Sequence, residues 1–171
     1  IYDNSKKVAD LGDALTKGVT VPMTQVGTYC VDKAVDFDTA IANLRKTSSL
    51  TASQLEDLAQ SALELSKTQP VDAATILNIE ALGAQLGIAD DNLESFARTC
   101  SGLDIATDMN AEQAGTEMAR FANIVGMTED QFGNYGSTLV AIGNNMATTE
   151  SEVSNMALKF ASAGRQAGLS S

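Results

Sequence analysis

The chain of 171 residues carries 22 acidic and 11 basic side chains, a formal net charge of −11, and neither histidine nor tryptophan. An acidic balance of this size repels phosphate, which argues against nucleic-acid binding. The missing imidazole removes Ser–His and Cys–His catalysis and the commonest zinc ligand. Apolar residues make up 44% of the chain but aromatics only 5%. The apolar content is therefore mostly Ala, Leu, Val, Ile and Met, a mixture that favours closely packed helices over strands.

Residues 2–17 read as an amphipathic helix with Val8, Leu11 and Leu15 on one face, ended by Gly18. Thr20 is then placed to cap a second helix, with Pro22 in its first turn, running to about Lys46. Its apolar stripe is Met23, Val26, Cys30, Ala34, Phe37, Ile41 and Leu44. Beyond residue 50 the helix starts become regular. Capping boxes are expected at Thr51 with Gln54, Asp91 with Glu94, Asn110 with Gln113, Thr128 with Gln131 and Thr149 with Glu152. A further start follows Pro70, with Asp72 as N-cap. Gly87, Gly102, Gly126 and Gly168 stand where helices should stop.

Between these signals the helical period persists. One face gathers Ala111, Ala114, Met118, Ala122 and Val125, and another gathers Phe132, Tyr135, Leu139, Ile142 and Met146. The last gathers Val153, Met156, Ala157, Phe160, Ala161 and Gly164. The expected fold is all-α, with about eight helices: two longer N-terminal ones, then short helices packed as hairpins or a stacked array. Small residues on the apolar faces (Gly83 and Gly87, Ala114 and Gly115, Gly136 and Gly143) predict close approach of a second helix. Cys30 and Cys100 are spaced like core residues and read as buried thiols.

Charge divides the chain. Residues 1–50 hold six acidic and six basic side chains, whereas residues 51–171 hold sixteen and five and carry the whole net charge. The expected organisation is a two-helix segment over 1–50 and an acidic multi-helix domain over 51–171. The longest uncharged run, residues 131–149, is too polar to span a bilayer. The start at Ile1 and the stop just after Gly168 read as a piece of a longer protein.

Chemistry is sparse. Glu112 with Glu117, and Glu150 with Glu152, are the pairs that could serve glycoside hydrolysis, but three of the four sit in first helical turns, where the helix dipole favours negative charge. Asp108, Asn110 and Glu112 match the first three ligand positions of a calcium loop. Its glycine position holds Gln113 and its closing glutamate position Ala119, which leaves the helix-cap reading. No catalytic, cofactor or metal site is expected, and no enzyme.

A series of segments resembles one family in order and spacing. The segments are Leu-Gly-Asp-Ala-Leu-Thr-Lys-Gly-Val-Thr-Val-Pro-Met (11–23), Ala-Val-Asp-Phe-Asp-Thr-Ala-Ile (34–41) and Ser-Gln-Leu-Glu-Asp-Leu-Ala (53–59). They continue with Ile-Glu-Ala-Leu-Gly-Ala-Gln-Leu-Gly (79–87), Met-Ala-Arg-Phe-Ala-Asn-Ile-Val-Gly-Met (118–127) and Asn-Asn-Met-Ala-Thr-Thr-Glu-Ser-Glu-Val (144–153), leading to Gln-Ala-Gly-Leu-Ser (166–170). The set is similar to the helical region of phage tail tape measure proteins. The resemblance implies a structural protein of a phage or prophage tail that sets tail length, nucleates the tube and leaves it ahead of DNA. It implies tail tube protein, tail assembly chaperones and tail-tip proteins as partners, self-association in the tail, and a place in the tube lumen after assembly in the host cytoplasm. No direct nucleic-acid contact and no membrane span are expected. A helix rises about 1.5 Å per residue, so such a chain could span roughly 260 Å if wholly extended. The competing reading is a generic helical protein–protein interaction module with no virion role.

Overall fold

Helices α1 (Val21–Thr47), α2 (Ala52–Thr68), α3 (Ala73–Gln85), α4 (Leu93–Ala106), α5 (Ala111–Val125), α6 (Glu129–Asn145) and α7 (Glu150–Gln166) follow one another with short connections. The computed structural model describes the backbone of residues 21–168 and the side chains of residues 32–168 other than Glu129, and among these residues there is no strand. The first expected helix, residues 2–17, its Gly18 stop, the Thr20 cap and the Cys30 side chain lie outside the described residues. The second expected helix is α1, ending one residue past Lys46. The chain divides into two units between Asp38 and Thr39. The described part of the first is residues 21–38 of α1; the second holds the end of α1 and all of α2–α7.

Local chemistry sets most of the boundaries. Thr51 and Gln54 form a reciprocal capping box, as do Thr149 and Glu152. Asp72 accepts from the Thr75 amide at 2.9 Å, and Asn110 from the Gln113 amide at 2.8 Å. The Thr128 amide donates to Gln131 Oε1 at 3.0 Å. The box expected at Asp91 does not form. Asp90–Asn92 make a 3₁₀ turn instead, and Asn92 precedes α4 without a side-chain cap bond. Glu94, freed from capping, pairs with Arg98 one turn on at 3.0 Å. Gly87, Gly126 and Gly168 take φ of 88°, 70° and 77°, the left-handed conformation that a helix end asks of glycine. Gly102 does not: it lies inside α4, which runs on to Ala106.

From α2 onward the helices form a stacked array. The sequential pairs α2–α3, α3–α4, α4–α5 and α6–α7 pack together. Each helix also packs on the one two places along, in the pairs α2–α4, α3–α5, α4–α6 and α5–α7. The core sits around α4. Phe96 is fully buried and meets the edge of Phe132 from α6, with ring centroids 5.8 Å apart at 74°. Glycines on the flanking helices make room for that ring. A Cβ on Gly83 would lie 2.8 Å from Phe96 Cδ1, and one on Gly115 would lie 3.1 Å from Leu82 Cδ2 and 3.7 Å from Phe96 Cζ. Gly136 likewise seats Thr99, whose methyl is 2.8 Å from where a Cβ would stand. Gly83, Gly115 and Gly136 thus serve close approach within this unit, whereas Gly87 takes the left-handed turn at the end of α3.

The alternate helices α3, α5 and α7 are also joined by side chains that close the carboxyl end of a neighbour. Asn123 Nδ2 on α5 donates to Leu86 O at the end of α3, at 2.6 Å. Arg165 Nη1 on α7 donates to Asn123 O at 3.1 Å and to Ile124 O at 2.7 Å, at the end of α5. Orphan carbonyls at a helix end need such donors.

Candidate interaction surface

Of the carboxylates singled out above, Glu152 caps α7, and Glu117 and Asp108 hold neighbouring side chains or backbone. Glu152 Oε2 accepts from the Thr148 hydroxyl at 2.9 Å and the Thr149 amide at 3.3 Å. Glu117 Oε1 accepts from Gln113 Nε2 at 3.2 Å, while Glu112 is exposed in the first turn of α5. Asp108 accepts from the Ser151 amide at 3.0 Å and hydroxyl at 2.5 Å, which anchors the α4–α5 turn to the start of α7. Those two bonds hold the Asp108 carboxyl below its usual range. Asn110 is occupied as the α5 cap. The structure therefore does not gather Asp108, Asn110 and Glu112 around a point. Among the described residues no three His, Cys, Asp or Glu side chains are grouped as metal ligands.

What the array exposes is apolar. Helix α7 buries Ser154, which lies 3.4 Å from the Tyr135 hydroxyl of α6, and half-buries Ala157, Leu158 and Ala161. The face expected to be buried as one stripe is split by size. Ala157 and Ala161 turn inward, while Met156 and Phe160 turn out, 53% and 71% exposed. The reason is room: α7 packs on both α5 and α6, and small side chains allow that double approach. The outward residues continue as Ala163 and Ala167, both exposed, and begin at half-buried Val153. Positions 153, 156, 160, 163 and 167 are spaced 3-4-3-4, the seam of a coiled coil. Met146, at the end of α6, is 63% exposed. The size difference between neighbouring apolar positions was the sequence signal for this split. The bonds that Asp108, Asn123 and Arg165 make to distant segments had none.

Beside the seam, a cleft of about 540 Å³ runs between α5 and α7, lined by Glu117, Glu152, Asn155, Met156 and Lys159 among others. Glu117 Oε2 is buried there without a hydrogen-bond partner. A second groove of about 540 Å³ lies between α4 and α6 over Gly102, Gly133 and Gly136. No described helix is long and apolar enough to cross a membrane.

The sequence profile of phage-related minor tail proteins matches residues 59–171. The chain belongs to that family. The match spans α3–α7 and most of α2. The chain is also 23% identical over 164 residues to a probable tape measure protein of Halomonas phage phiHAP-1, covering 88% of this chain and 19% of that protein. The chain thus spans less than a fifth of the length of this curated relative. No solved structure matches. Membership in the minor tail family gives the chain a structural role in a phage tail, among other tail components of the virion.

Proposed function

We propose that this chain is part of a tape measure protein: it sets tail length, helps nucleate the tail tube, occupies the tube lumen, and leaves ahead of DNA. The observation that carries this reading is the coincidence of the family match over residues 59–171 with the stacked array α2–α7. Short helices joined by tight turns can be stored as a stack and laid end to end, and each helical residue then adds about 1.5 Å. The partners in this reading are the tail tube protein, tail assembly chaperones, tail-tip proteins and further copies of the chain. The balanced segment 1–50 and the acidic segment 51–171 have different surroundings in the particle, and the acidic one limits contact with DNA that shares the tube. The chain takes its first contacts in the host cytoplasm.

The test is an in-frame deletion of residues 72–126 in the phage or prophage that encodes the chain, with tail length read by negative-stain microscopy. Uniformly shorter tails are expected, by about 80 Å if the deleted segment lies as extended helix. Tails of unchanged length would overturn the ruler reading. A complete lack of tails would also overturn the ruler role of this segment, leaving nucleation as its role.

A further inference from the structure

The ends of α3, α5 and α7 differ from those of α2, α4 and α6. Gln69, Thr107 and Met146 close α2, α4 and α6 in extended conformations. Gly87, Gly126 and Gly168 stand at the ends of α3, α5 and α7 with positive φ, and no other described residue has one. The residue three places before the glycine is Asn123 in α5 and Arg165 in α7, and each of these side chains caps the end of the helix two places earlier. Ala84 holds that place in α3 and has no side-chain donor. The end of α1, beside α3 across a cleft lined by Thr47 and Gln85, is closed by its own Thr47 and Ser48 hydroxyls. The caps therefore link α7 to α5 and α5 to α3, and go no further.

From this arrangement we propose that α3, α5 and α7 form a one-way release latch, in which undocking of α7 loosens the end of α5 and then that of α3. Each earlier helix offers backbone acceptors at its end, among them the carbonyls of half-buried Leu86 and Ile124. Each donor is an exposed side chain on the later helix, which water satisfies at little cost once its partner leaves. An uncapped helix end frays, by contrast, because its last carbonyls have no partner within the helix. Fraying of α5 displaces Asn123, the donor that closes α3. The reverse does not hold: Arg165 binds the backbone of Asn123 and Ile124, so losing the Asn123 side chain leaves α7 anchored. Ordered release suits a stack that is laid out helix by helix, and that use alone rests on the ruler reading.

Amide exchange of the whole chain, read by NMR, tests the direction. Arg165→Ala should speed exchange of Gly126 and Met127 at the end of α5, and of Leu86 and Ile88 at the end of α3, by at least about threefold. Asn123→Ala should speed Leu86 and Ile88 by a similar factor and leave Ala167 and Gly168 at their parent rates. Arg165→Lys, which keeps a donor, should fall between the parent and Arg165→Ala at all four amides. The Gln69 amide, which donates to Leu65 O at the end of α2, should not change in any variant. An Arg165→Ala effect confined to α5 would overturn the relay. Equal acceleration of Ala167 and Gly168 in Asn123→Ala would overturn its direction. Equal acceleration of Gln69 would reduce both effects to a general loss of stability and overturn the latch. Tail length enters none of these readouts, so the latch and the ruler reading fail separately.

Discussion

Glu80 is the most consequential single residue in the core. Its side chain is 1% exposed on α3, and Oε2 has no hydrogen-bond partner. Burial, with the charge of Glu94 second, pushes its carboxyl up to about 8 from an ordinary 4.5. The folded chain therefore keeps a proton that the unfolded chain has already lost between those values. Stability is full below pH 4.5, declines as pH rises, and has lost this contribution once pH passes 8. At about 1.4 kcal/mol per unit, the loss is on the order of a few kcal/mol. Glu80→Gln should stabilise the protein at pH 8 and flatten the fall in denaturation midpoint between pH 5 and 8.5. Asp108 and Glu64, whose carboxyls are lowered by hydrogen bonds and a lysine, act at the acid end instead. An unchanged slope in Glu80→Gln would show that Glu80 is solvated in solution.

Two glycines separate packing from propensity at the same scale. Gly83→Ala must push on the Phe96 ring, with the added Cβ at 2.8 Å from Cδ1 and Cε1. Overpacking of a filled core typically costs about 1–3 kcal/mol, against about 1 kcal/mol recovered when alanine replaces a helical glycine. Net destabilisation is expected. Gly133→Ala meets nothing within 4 Å and lies inside α6, so it should stabilise by about 0.5–1 kcal/mol. Urea denaturation of the two variants checks both signs, and stabilisation by Gly83→Ala would mean that the ring has room to move.

Among the elements, the sequence was most informative where structure is local. Thr51, Asp72, Asn110 and Thr149 each cap the helix expected of them, because a cap needs only its own next three residues. It was least informative where a choice depends on a distant partner. Asp91 had the right neighbours for a box, yet the chain takes a 3₁₀ turn there. Gly102 had the right residue type for a stop, yet α4 continues through it to form the centre of the array. The turning of α7, with Met156 outward and Ala157 inward, is fixed by the combined room on α5 and α6 and not by its own period. The candidate surface was legible as apolar residues but not as an exposed seam. The cross-caps test how far elements depend on one another. Arg165→Ala removes two hydrogen bonds from the end of α5, and Asn123→Ala one from the end of α3. Each should cost about 0.5–2 kcal/mol. The double variant should depart from additivity, since Arg165 binds the carbonyl of Asn123 itself. A strictly additive double variant would mean that the two caps act separately.

In the molecule from Thr39 onward, burial falls along the array from α3 to α7. Helix α3 buries Ala73, Ala74, Ile76, Leu77, Ile79, Glu80, Ala81 and Gly83, whereas α7 buries Ser154 alone. Between them α4 and α5 each bury six residues. Stability in a stacked array is close to a sum over units and their interfaces, so a helix with little interface opens at lower cost. The array should therefore unfold from α7 toward α3 and α4, with α7 held mainly by Arg165, the Asp108–Ser151 bonds and the Tyr135–Ser154 contact. Native-state hydrogen exchange should find α7 amides exchanging at least about 100-fold faster than those of α3 and α4, which corresponds to roughly 3 kcal/mol less protection. Uniform protection across α3–α7 would instead mean a single cooperative unit. The stack would then have to open all at once before any part of it could extend, against the storage of short helices that the proposed ruler role invokes.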